Sequence, residues 1–350
     1  MGNNYSFPDK ASSISRFRGE MMGLAALWII IFHFYQPILP NAGLISSLED
    51  FIKSIGYFGV ELFIFVSGFG CAYALSKENA LSFWKKRIKK LAIPVLLLGV
   101  VQGIEYKWGI EEFVLNVSGT TFFTRDIYSF IWFVTAIAVF YFFAPFYIIL
   151  YNRVRSGVIF TFAALIIWSI LSFIVQPVLR NDFYGAINRI PAYIIGLMIG
   201  LETQKGKYQL TVVARVGLIL LFFASGFIIW LTQFNGLILP YSFLYGVCNT
   251  CFTVPICILL PETINHLTKW KHIQVLKMIQ KVLLFFGSIS FEMYGVQRYI
   301  TSMVPPITRS PAINNVFYFC IVIASGFALC LMVKIITLIL NRMKGILCGK

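Results

Sequence analysis

The chain consists of long apolar runs that alternate with short polar segments. Because a bilayer core about 30 Å thick is crossed by a helix of about 20 apolar residues, each run is a candidate span. The runs lie near residues 20–40, 56–76, 91–105, 128–150, 157–176, 186–201, 210–232, 237–260, 282–303 and 316–341. This pattern predicts an all-α polytopic membrane protein, in which residues 1–350 form a single domain of about ten transmembrane helices.

The basic residues predict the orientation of this bundle. With the N-terminus inside, 21 of the 29 Lys and Arg residues fall in inner segments and five in outer loops. Cytoplasmic segments of membrane proteins carry such an excess of Lys and Arg, so we expect both termini to be cytoplasmic. The same asymmetry accounts for the net charge of +15. We therefore predict a lipid bilayer, and no nucleic acid, as the partner of this basic protein.

The composition excludes a soluble domain of this size. Only 12% of the residues are charged and 59% are hydrophobic, whereas soluble domains carry about 25% charged residues. The seven cysteines show no disulfide or zinc pattern. Cys248 and Cys251 form a C-x-x-C, but they lie in an apolar run that should be helical. We predict no metal site.

A few ionisable side chains lie inside the apolar runs, where they are costly and are therefore functional candidates. They are His33, Glu61, Arg189, Glu292 and Arg298. At a rise of 1.5 Å per residue, His33 lies about 20 Å from the inner side, and Glu61 and Arg189 lie near the outer ends of inward-running spans. We predict a polar cavity in the outer half of the membrane. Its lining residues would be His33, Glu61, Arg189 and either Gln297 or Arg298.

The chemistry of these groups suits acyl transfer. A neutral imidazole at His33 can take the proton from a hydroxyl that attacks a thioester, and Arg189 can stabilise the developing oxyanion or orient the substrate. Together with Glu61, they are the catalytic candidates. Simpler interpretations remain: His33 packs between helices, and Arg189 and Glu61 pair to reduce each other's cost. Ser67 lacks the G-x-S-x-G frame of a serine nucleophile.

The strongest basic cluster lies in an inner segment, at residues 83–90. Its simplest role is to fix the topology, with aromatic residues as interface anchors. It also suits an anionic phosphate, such as those of coenzyme A, and the two roles are compatible. We therefore predict that Lys86, Arg87 and Lys90 bind the acyl donor.

Five ordered blocks resemble the acyltransferase-3 family of ten-helix membrane acyltransferases. They lie at residues 18–34, 59–69, 84–94, 188–196 and 290–294, so the likeness covers nearly the whole chain. The first block ends in His33, which is similar to the essential His of the family. The second block, from Gly59 to Phe69, resembles the family pattern V-[DE]-L-F-F-x-x-S-G-F, with Glu61 at its acidic position.

The chain departs from the family pattern at two positions. The family often carries an Arg eleven positions before the His; here that position is Met22, and the nearest upstream Arg is Arg18. We add Arg18 to the donor-binding candidates. The late block of the family often ends in His, where this chain has Gln297. We predict Gln297 and Tyr294, in and near this late block, as substrate-binding residues. We add Trp108 because it lies in an outer loop, and loops often carry recognition.

The resemblance implies a reaction. The donor would be a cytoplasmic acyl-CoA, expected to be acetyl-CoA, with no permanently bound cofactor. The acceptor would be a hydroxyl of a cell-surface or exported glycan, at a bacterial cytoplasmic membrane. The alternative function is a membrane exporter or flippase of lipid-linked saccharides, and a third is a non-catalytic sensor or scaffold. The sequence shows no inverted pair of broken helices, which disfavours a transporter.

Overall fold

The computed structural model of the protein describes residues 12–34, 38, 43–124, 132–175, 181–268, 274–303 and 305–347. Within these residues the regular structure is α-helical. In chain order the helices are α1 (Ser13–Arg16), α2 (Arg18–Phe32), α3 (Leu44–Ser54), α4 (Phe58–Leu75), α5 (Ala80–Glu105), α6 (Ile110–Val117), α7 (Thr120–Thr124), α8 (Trp132–Arg153), α9 (Gly157–Val175), α10 (Asn181–Ile187), α11 (Ile190–Gln204), α12 (Val212–Phe234), α13 (Ser242–Thr268), α14 (Gln274–Ser288), α15 (Ser290–Met303) and α16 (Pro311–Leu347).

Seven helical segments of the described chain are long and apolar enough to cross a membrane, and the bent pair α14–α15 makes eight if it forms one span. The seven are Phe58–Leu75, Trp132–Arg153, Gly157–Val175, Phe183–Gln204, Val212–Phe234, Ser242–Thr268 and Pro311–Met343. Two predicted spans fall short of this standard. The first corresponds to α2, which has only 15 residues, and the third to α5, whose first half carries the basic cluster.

The described residues thus form an all-α, multi-pass membrane protein, as predicted. The count of ten spans and the cytoplasmic termini stay predictions.

Helix α4 occupies the centre of the bundle. From Phe58 to Ala72 nearly every side chain is buried, including the carboxyl group of Glu61. A helix that is apolar all round is expected to be enclosed on all sides. By contrast, only small fractions of α9 and α12 are buried inside the protein, as expected for helices that face lipid.

The helix α11 approaches α4 closely because glycines lie at the contact. Gly196 and Gly200 of α11 face the backbone carbonyls of Phe65 and Phe69 of α4. Because residue numbers rise together on both sides, the two helices run parallel. Small residues four apart allow helix backbones in membranes to pack at short distance.

The helix α2 packs on α4 in the opposite direction. Gly59 of α4 faces the carbonyl of Ala25, and Gly56 just before α4 faces the carbonyl of Trp28. Residue numbers therefore rise on one helix while they fall on the other. These directions are the ones required if α2, α4 and α11 are the first, second and sixth spans, as the sequence predicts.

The ninth predicted span, residues 282–303, is not a continuous helix. It is divided into α14 and α15, which meet at an angle of 65°. Sharp bends in helices occur at Gly/Ser pairs, and Gly287 and Ser288 end α14. Gly287 also packs against Gly19 and Gly23 of α2. The bend was not predicted, because hydropathy records the length of an apolar segment and not its direction.

Replacing Gly196 with Ala is expected to destabilise the protein by about 1–3 kcal/mol, because the new methyl group would overlap the carbonyl of Phe65 in a packed core. Gly217→Ala is the matched control. Gly217 lies within α12, with no atom within 4 Å of the added carbon. The Gly217→Ala change should therefore raise the free energy of unfolding by up to about 1 kcal/mol, because alanine has the higher helix propensity. Unfolding of both variants in detergent measures the difference. Equal stabilities would contradict a tight α4–α11 contact.

Candidate active site

A cavity of about 470 Å³ lies between α2, α4, α5, α8, α16 and the bent pair α14–α15. Small-molecule sites typically have volumes of about 300–1,000 Å³. Basic residues from two helices line one end; they are Arg18, Lys86, Arg87, Lys89 and Lys90, and we call them the basic mouth. All four predicted donor-binding residues therefore lie on the wall of a single cavity. The wall also carries the carboxyl group of Glu292, which interacts electrostatically with Lys90 and Lys334.

The start of α5 holds the basic mouth in position. The side-chain oxygen of Asn79 caps the helix by accepting the backbone N–H of Ser82 at 2.9 Å. Lys86 Nζ lies 2.5 Å from the carboxylate of Glu78, and the hydroxyl of Ser82 donates to the same carboxylate at 2.8 Å. These two contacts, the lysine first, hold the pKa of the Glu78 carboxyl below its usual value. The loop before α5 is thereby tied to the first turns of the helix.

Arg87 is held between aromatic rings. Its guanidinium lies 5.1 Å from the ring centroid of Phe83 and 5.0 Å from that of Tyr141, within the range of cation–π attraction. The indole N–H of Trp84 donates to the carbonyl of Tyr141 at 3.1 Å, which joins α5 to α8. These contacts fix the position of the Arg87 charge on the cavity wall without neutralising it.

Arg18 reaches the same cavity from α2. Its guanidinium lies against Gly70 of α4, where an added Cβ would be 2.9 Å from Cζ of the arginine. Only glycine leaves this space open. Met22, the position at which the family often carries its Arg, lies one turn further along α2 and lines the same cavity. Arg18 thus brings a charge to the cavity wall from a position one turn before Met22.

The other end of the cavity is aromatic. The ring of Phe133 lies with its centroid 6.2 Å from that of Phe63 and 4.9 Å from that of Tyr294, and all three residues line the cavity. We call these three rings the aromatic wall. Phe133 precedes Tyr141 by eight residues on α8, which separates the wall from the ring beside Arg87 by about 12 Å along the helix. The predicted substrate-binding residue Tyr294 is therefore part of this wall.

Glu61, Arg189 and Thr253 form a buried polar cluster, with exposed fractions of 0%, 9% and 0%. The hydroxyl of Thr253 donates to Glu61 Oε2 at 3.0 Å. The guanidinium of Arg189 donates to the carbonyl of Gly185 at 2.6 Å and lies 5.0 Å from the ring centroid of Trp132. The three members come from α4, from the break between α10 and α11 and from α13, and Trp132 at the start of α8 covers the Arg189 guanidinium.

The parallel register of α4 and α11 brings Glu61 and Arg189 to the same level of the bundle. The two predicted catalytic residues interact through their charges, and their hydrogen bonds go to Thr253 and to Gly185 rather than to each other. The cluster is nevertheless incompletely satisfied. Among the described residues, Glu61 Oε1 and Arg189 Nε are buried without a hydrogen-bond partner. Buried polar atoms without a partner are uncommon, and a catalytic role is one of the explanations for them.

His33 lies apart from this cluster. It is the residue at which α2 ends, and it does not line the 470 Å³ cavity. Because Ala25 faces Gly59 across the antiparallel contact, Glu61 is level with about Gly23. His33 is ten residues beyond Gly23, which places it about 15 Å further along the helix axis. His33 therefore lies further along the bundle than the level at which Glu61 and Arg189 meet, and a joint catalytic role of the three residues stays a prediction.

Gln297 accompanies His33 instead. The ring of Phe34, next to His33, lies 6.3 Å from the ring of Tyr318. The hydroxyl of Tyr318 donates to the backbone carbonyl of Gln297 at 3.2 Å, and Gln297 is buried. The end of α2 is thus close to the middle of α15. The side chain of Arg298, the alternative residue, lies outside the described part of the structure.

Trp108, the third predicted substrate-binding residue, belongs to a turn after α5. Its backbone N–H donates to the carbonyl of Gly103 at 2.9 Å, and its ring stacks on that of Tyr106 at 6.3 Å. It is not among the residues that line the cavity. Trp108 therefore follows the end of α5 and is not part of the cavity wall on which the donor-binding candidates and Tyr294 lie.

Three residues of the site were missed by sequence reasoning. Nothing in the sequence singles out Phe133 as a site residue, because a phenylalanine in an apolar run is expected on any face of a helix. Tyr141, which is hydrogen-bonded to Ser67 on the cavity wall, and Thr253 carry hydroxyl groups within apolar runs. Including hydroxyls among the polar groups at membrane depth would have found both.

A family model described as an acyltransferase domain matches residues 21–335. The chain belongs to the acyltransferase-3 family. The match includes the aromatic wall, the buried polar cluster and every residue of the basic mouth except Arg18, and it confirms the resemblance carried by the five blocks. No curated protein and no solved structure gives a significant match to this acyltransferase-3 chain. Together with the apolar helices, the family makes the protein a multi-pass membrane acyltransferase.

Replacing either member of the Glu61–Arg189 pair is expected to destabilise this acyltransferase-3 protein by about 3 kcal/mol, because the remaining charge loses its compensation in the core. The double variant Glu61→Gln/Arg189→Met should lose at least about 1 kcal/mol less free energy of unfolding than the sum of the losses in the two single variants. Unfolding of the three variants in detergent gives the coupling. The contact Lys86–Glu78, whose lysine is exposed, is the control cycle and should show a coupling below about 1 kcal/mol. Additive effects at Glu61 and Arg189 would contradict an interaction between them.

Proposed function

We propose that this protein transfers an acyl group, expected to be acetyl, from a cytoplasmic acyl-CoA to a hydroxyl of a cell-surface or exported glycan. The proposed location is a bacterial cytoplasmic membrane. The proposal rests on the acyltransferase family of the chain and on one observation. A cavity of about 470 Å³ has basic residues at one end and aromatic residues at the other.

The polarity of the cavity fits the two ends of an acyl-CoA. The nucleotide part of coenzyme A carries phosphates, which Arg and Lys side chains bind through charge-assisted hydrogen bonds. The thioester end is uncharged and suits an apolar surrounding. If the basic mouth is cytoplasmic, as the distribution of Lys and Arg predicts, the donor enters from the side on which acyl-CoA is made.

In the proposed reaction a glycan hydroxyl attacks the thioester carbonyl. The C–O bond of the ester forms, the C–S bond breaks, and the hydroxyl proton passes to His33 as general base before it reaches the departing thiolate. His33 lies eleven residues beyond Met22 of the cavity wall, about 16 Å along the helix. Transfer at His33 therefore requires the acyl end of the donor to extend past the aromatic wall.

Along the bundle, the buried polar cluster lies between the level of Met22 and that of His33. Glu61 is two residues from Phe63, and Trp132, which lies beside Arg189, precedes Phe133. An acyl group that moves past the aromatic wall would come next to the Arg189 guanidinium. We propose that Arg189 stabilises the negative charge that develops on the thioester oxygen, and that Glu61 holds the arginine in place.

The bend between α14 and α15 favours a second candidate, an exporter or flippase of lipid-linked saccharides. Transporters often contain discontinuous helices at their sites, and residues of both α14 and α15 line the cavity. The two functions differ in their need for an acyl donor. A flippase would move a labelled saccharide lipid across the membrane of proteoliposomes without acyl-CoA. The acyltransferase would neither move the lipid nor modify it when acyl-CoA is left out.

Arg87→Ala is expected to raise the Kd of the purified protein for coenzyme A about tenfold or more, because it removes a charge-assisted contact to phosphate. Lys85→Ala is the matched control, since Lys85 lies on the same helix but does not line the cavity. Equilibrium binding in detergent, at two salt concentrations, measures both. A similar rise in the Kd for coenzyme A in both variants would contradict a specific phosphate site, because it would show only a general effect of positive charge.

His33→Ala is expected to lower acyl transfer by about 10²–10⁴-fold, the usual contribution of a general base, with little change in the affinity for coenzyme A. Mass spectrometry of cell-surface glycans, with the gene deleted and then restored as each variant, detects the acyl mass. His266→Ala, an exposed histidine near the end of α13, should behave as the wild type. Full acylation by a normally inserted His33→Ala protein would exclude the role.

A further inference from the structure

The aromatic wall closes the cavity on the side opposite the basic mouth. Phe133 is its shared member, since its ring contacts both Phe63 and Tyr294. Phe63 and Phe133 have exposed fractions of 4% and 5%, so both rings are buried within the bundle while they line the cavity. A group that enters from the basic mouth meets these rings before it reaches any residue beyond them.

The wall adjoins two chemical environments. The basic mouth lines the same cavity as its three rings. The buried polar cluster adjoins the wall through Trp132, whose ring lies 5.0 Å from the Arg189 guanidinium. The rings of Trp132 and Phe133 are in edge contact, with centroids 6.3 Å apart. Phe133 is therefore in ring contact with the side chain beside Arg189.

We propose that Phe133 sets the size of the acyl group that the enzyme accepts. This inference rests on the proposed function, because it takes the acyl end of a coenzyme A thioester as the group that meets the wall. An acetyl group adds one methyl beyond the thioester carbonyl, whereas a butyryl group adds two further carbons. Rings packed on both sides cannot yield to the longer chain without displacing α4 or α15, because close-packed cores resist added volume.

Phe133 is the member of the wall on which the test depends. Phe63 lies in α4, the central helix, where truncation would disturb the whole bundle. Tyr294 takes part in further interactions, so its removal would change more than the wall. Phe133 contributes an apolar ring near the start of α8, so truncation there opens space at the wall with the least further change.

The experiment measures equilibrium binding of coenzyme A, acetyl-CoA, butyryl-CoA and hexanoyl-CoA to the full-length protein in detergent or nanodiscs. The wild type should bind acetyl-CoA about tenfold or more tightly than butyryl-CoA, the usual discrimination of a filled apolar pocket against extra methylenes. In Phe133→Ala the ratio should fall to about one. Phe133→Leu should give an intermediate ratio, and it decides the matter if the alanine variant does not fold.

Phe143→Ala is the matched control. Phe143 lies on the same helix with 58% of its surface exposed, it is not on the cavity wall, and its removal should leave the wild-type ratio unchanged. Free coenzyme A separates this inference from the proposed function. If the wild type binds coenzyme A but Phe133→Ala and Phe133→Leu keep the wild-type ratio, the role of Phe133 is overturned. If the wild type does not bind coenzyme A, the proposed donor falls, and this inference falls with it.

Discussion

Close backbone packing around α4 is the constraint on which the other features of this bundle depend. Glycines of α11 lie against carbonyls of α4, and glycines in and just before α4 lie against carbonyls of α2. In a membrane, helices gain little by hiding apolar surface from lipid, so association depends on van der Waals contact and on interhelical hydrogen bonds. Positions without a Cβ allow that contact, and they also fix the register between the helices. The polar groups of the core take their positions from this register.

The buried pair Glu61–Arg189 illustrates the consequence. A carboxylate in the middle of a helix that is enclosed on all sides would be too costly alone. The parallel register of α4 and α11 supplies an arginine at the same level, and Thr253 supplies a hydroxyl from α13. The interaction does not satisfy every atom, since Glu61 Oε1 and Arg189 Nε lack partners among the described residues. A core selected for stability alone would be expected to use apolar residues of similar volume here.

The second consequence is a division of the bundle into a basic cavity, an aromatic wall and a polar cluster. The Lys and Arg residues of the basic mouth are among those whose distribution predicts the cytoplasmic side, and they are also the residues proposed to bind phosphates. The aromatic wall lies where the α2–α4 contact and the bent α14–α15 pair approach α8. His33 lies beyond it, near the middle of α15, which carries Gln297. In the proposed reaction, the acyl group has to pass this layer of rings to reach His33.

The sequence by itself determined the class of protein, the identity of most candidate residues and the family, because these depend on local quantities. Hydropathy, charge asymmetry and short ordered motifs are carried by contiguous residues, and a helix at membrane depth satisfies its own backbone without help from neighbours. The tertiary structure decided which candidates meet. It grouped Arg18 with Arg87 and Lys90, paired Glu61 with Arg189, set His33 and Gln297 apart from them, and left Trp108 outside the cavity. It also bent the ninth span and made Phe133 the centre of an aromatic wall. These outcomes depend on helix register and crossing, which arise from contacts between residues far apart in the chain, and depth counted along one helix carries no information about its neighbours.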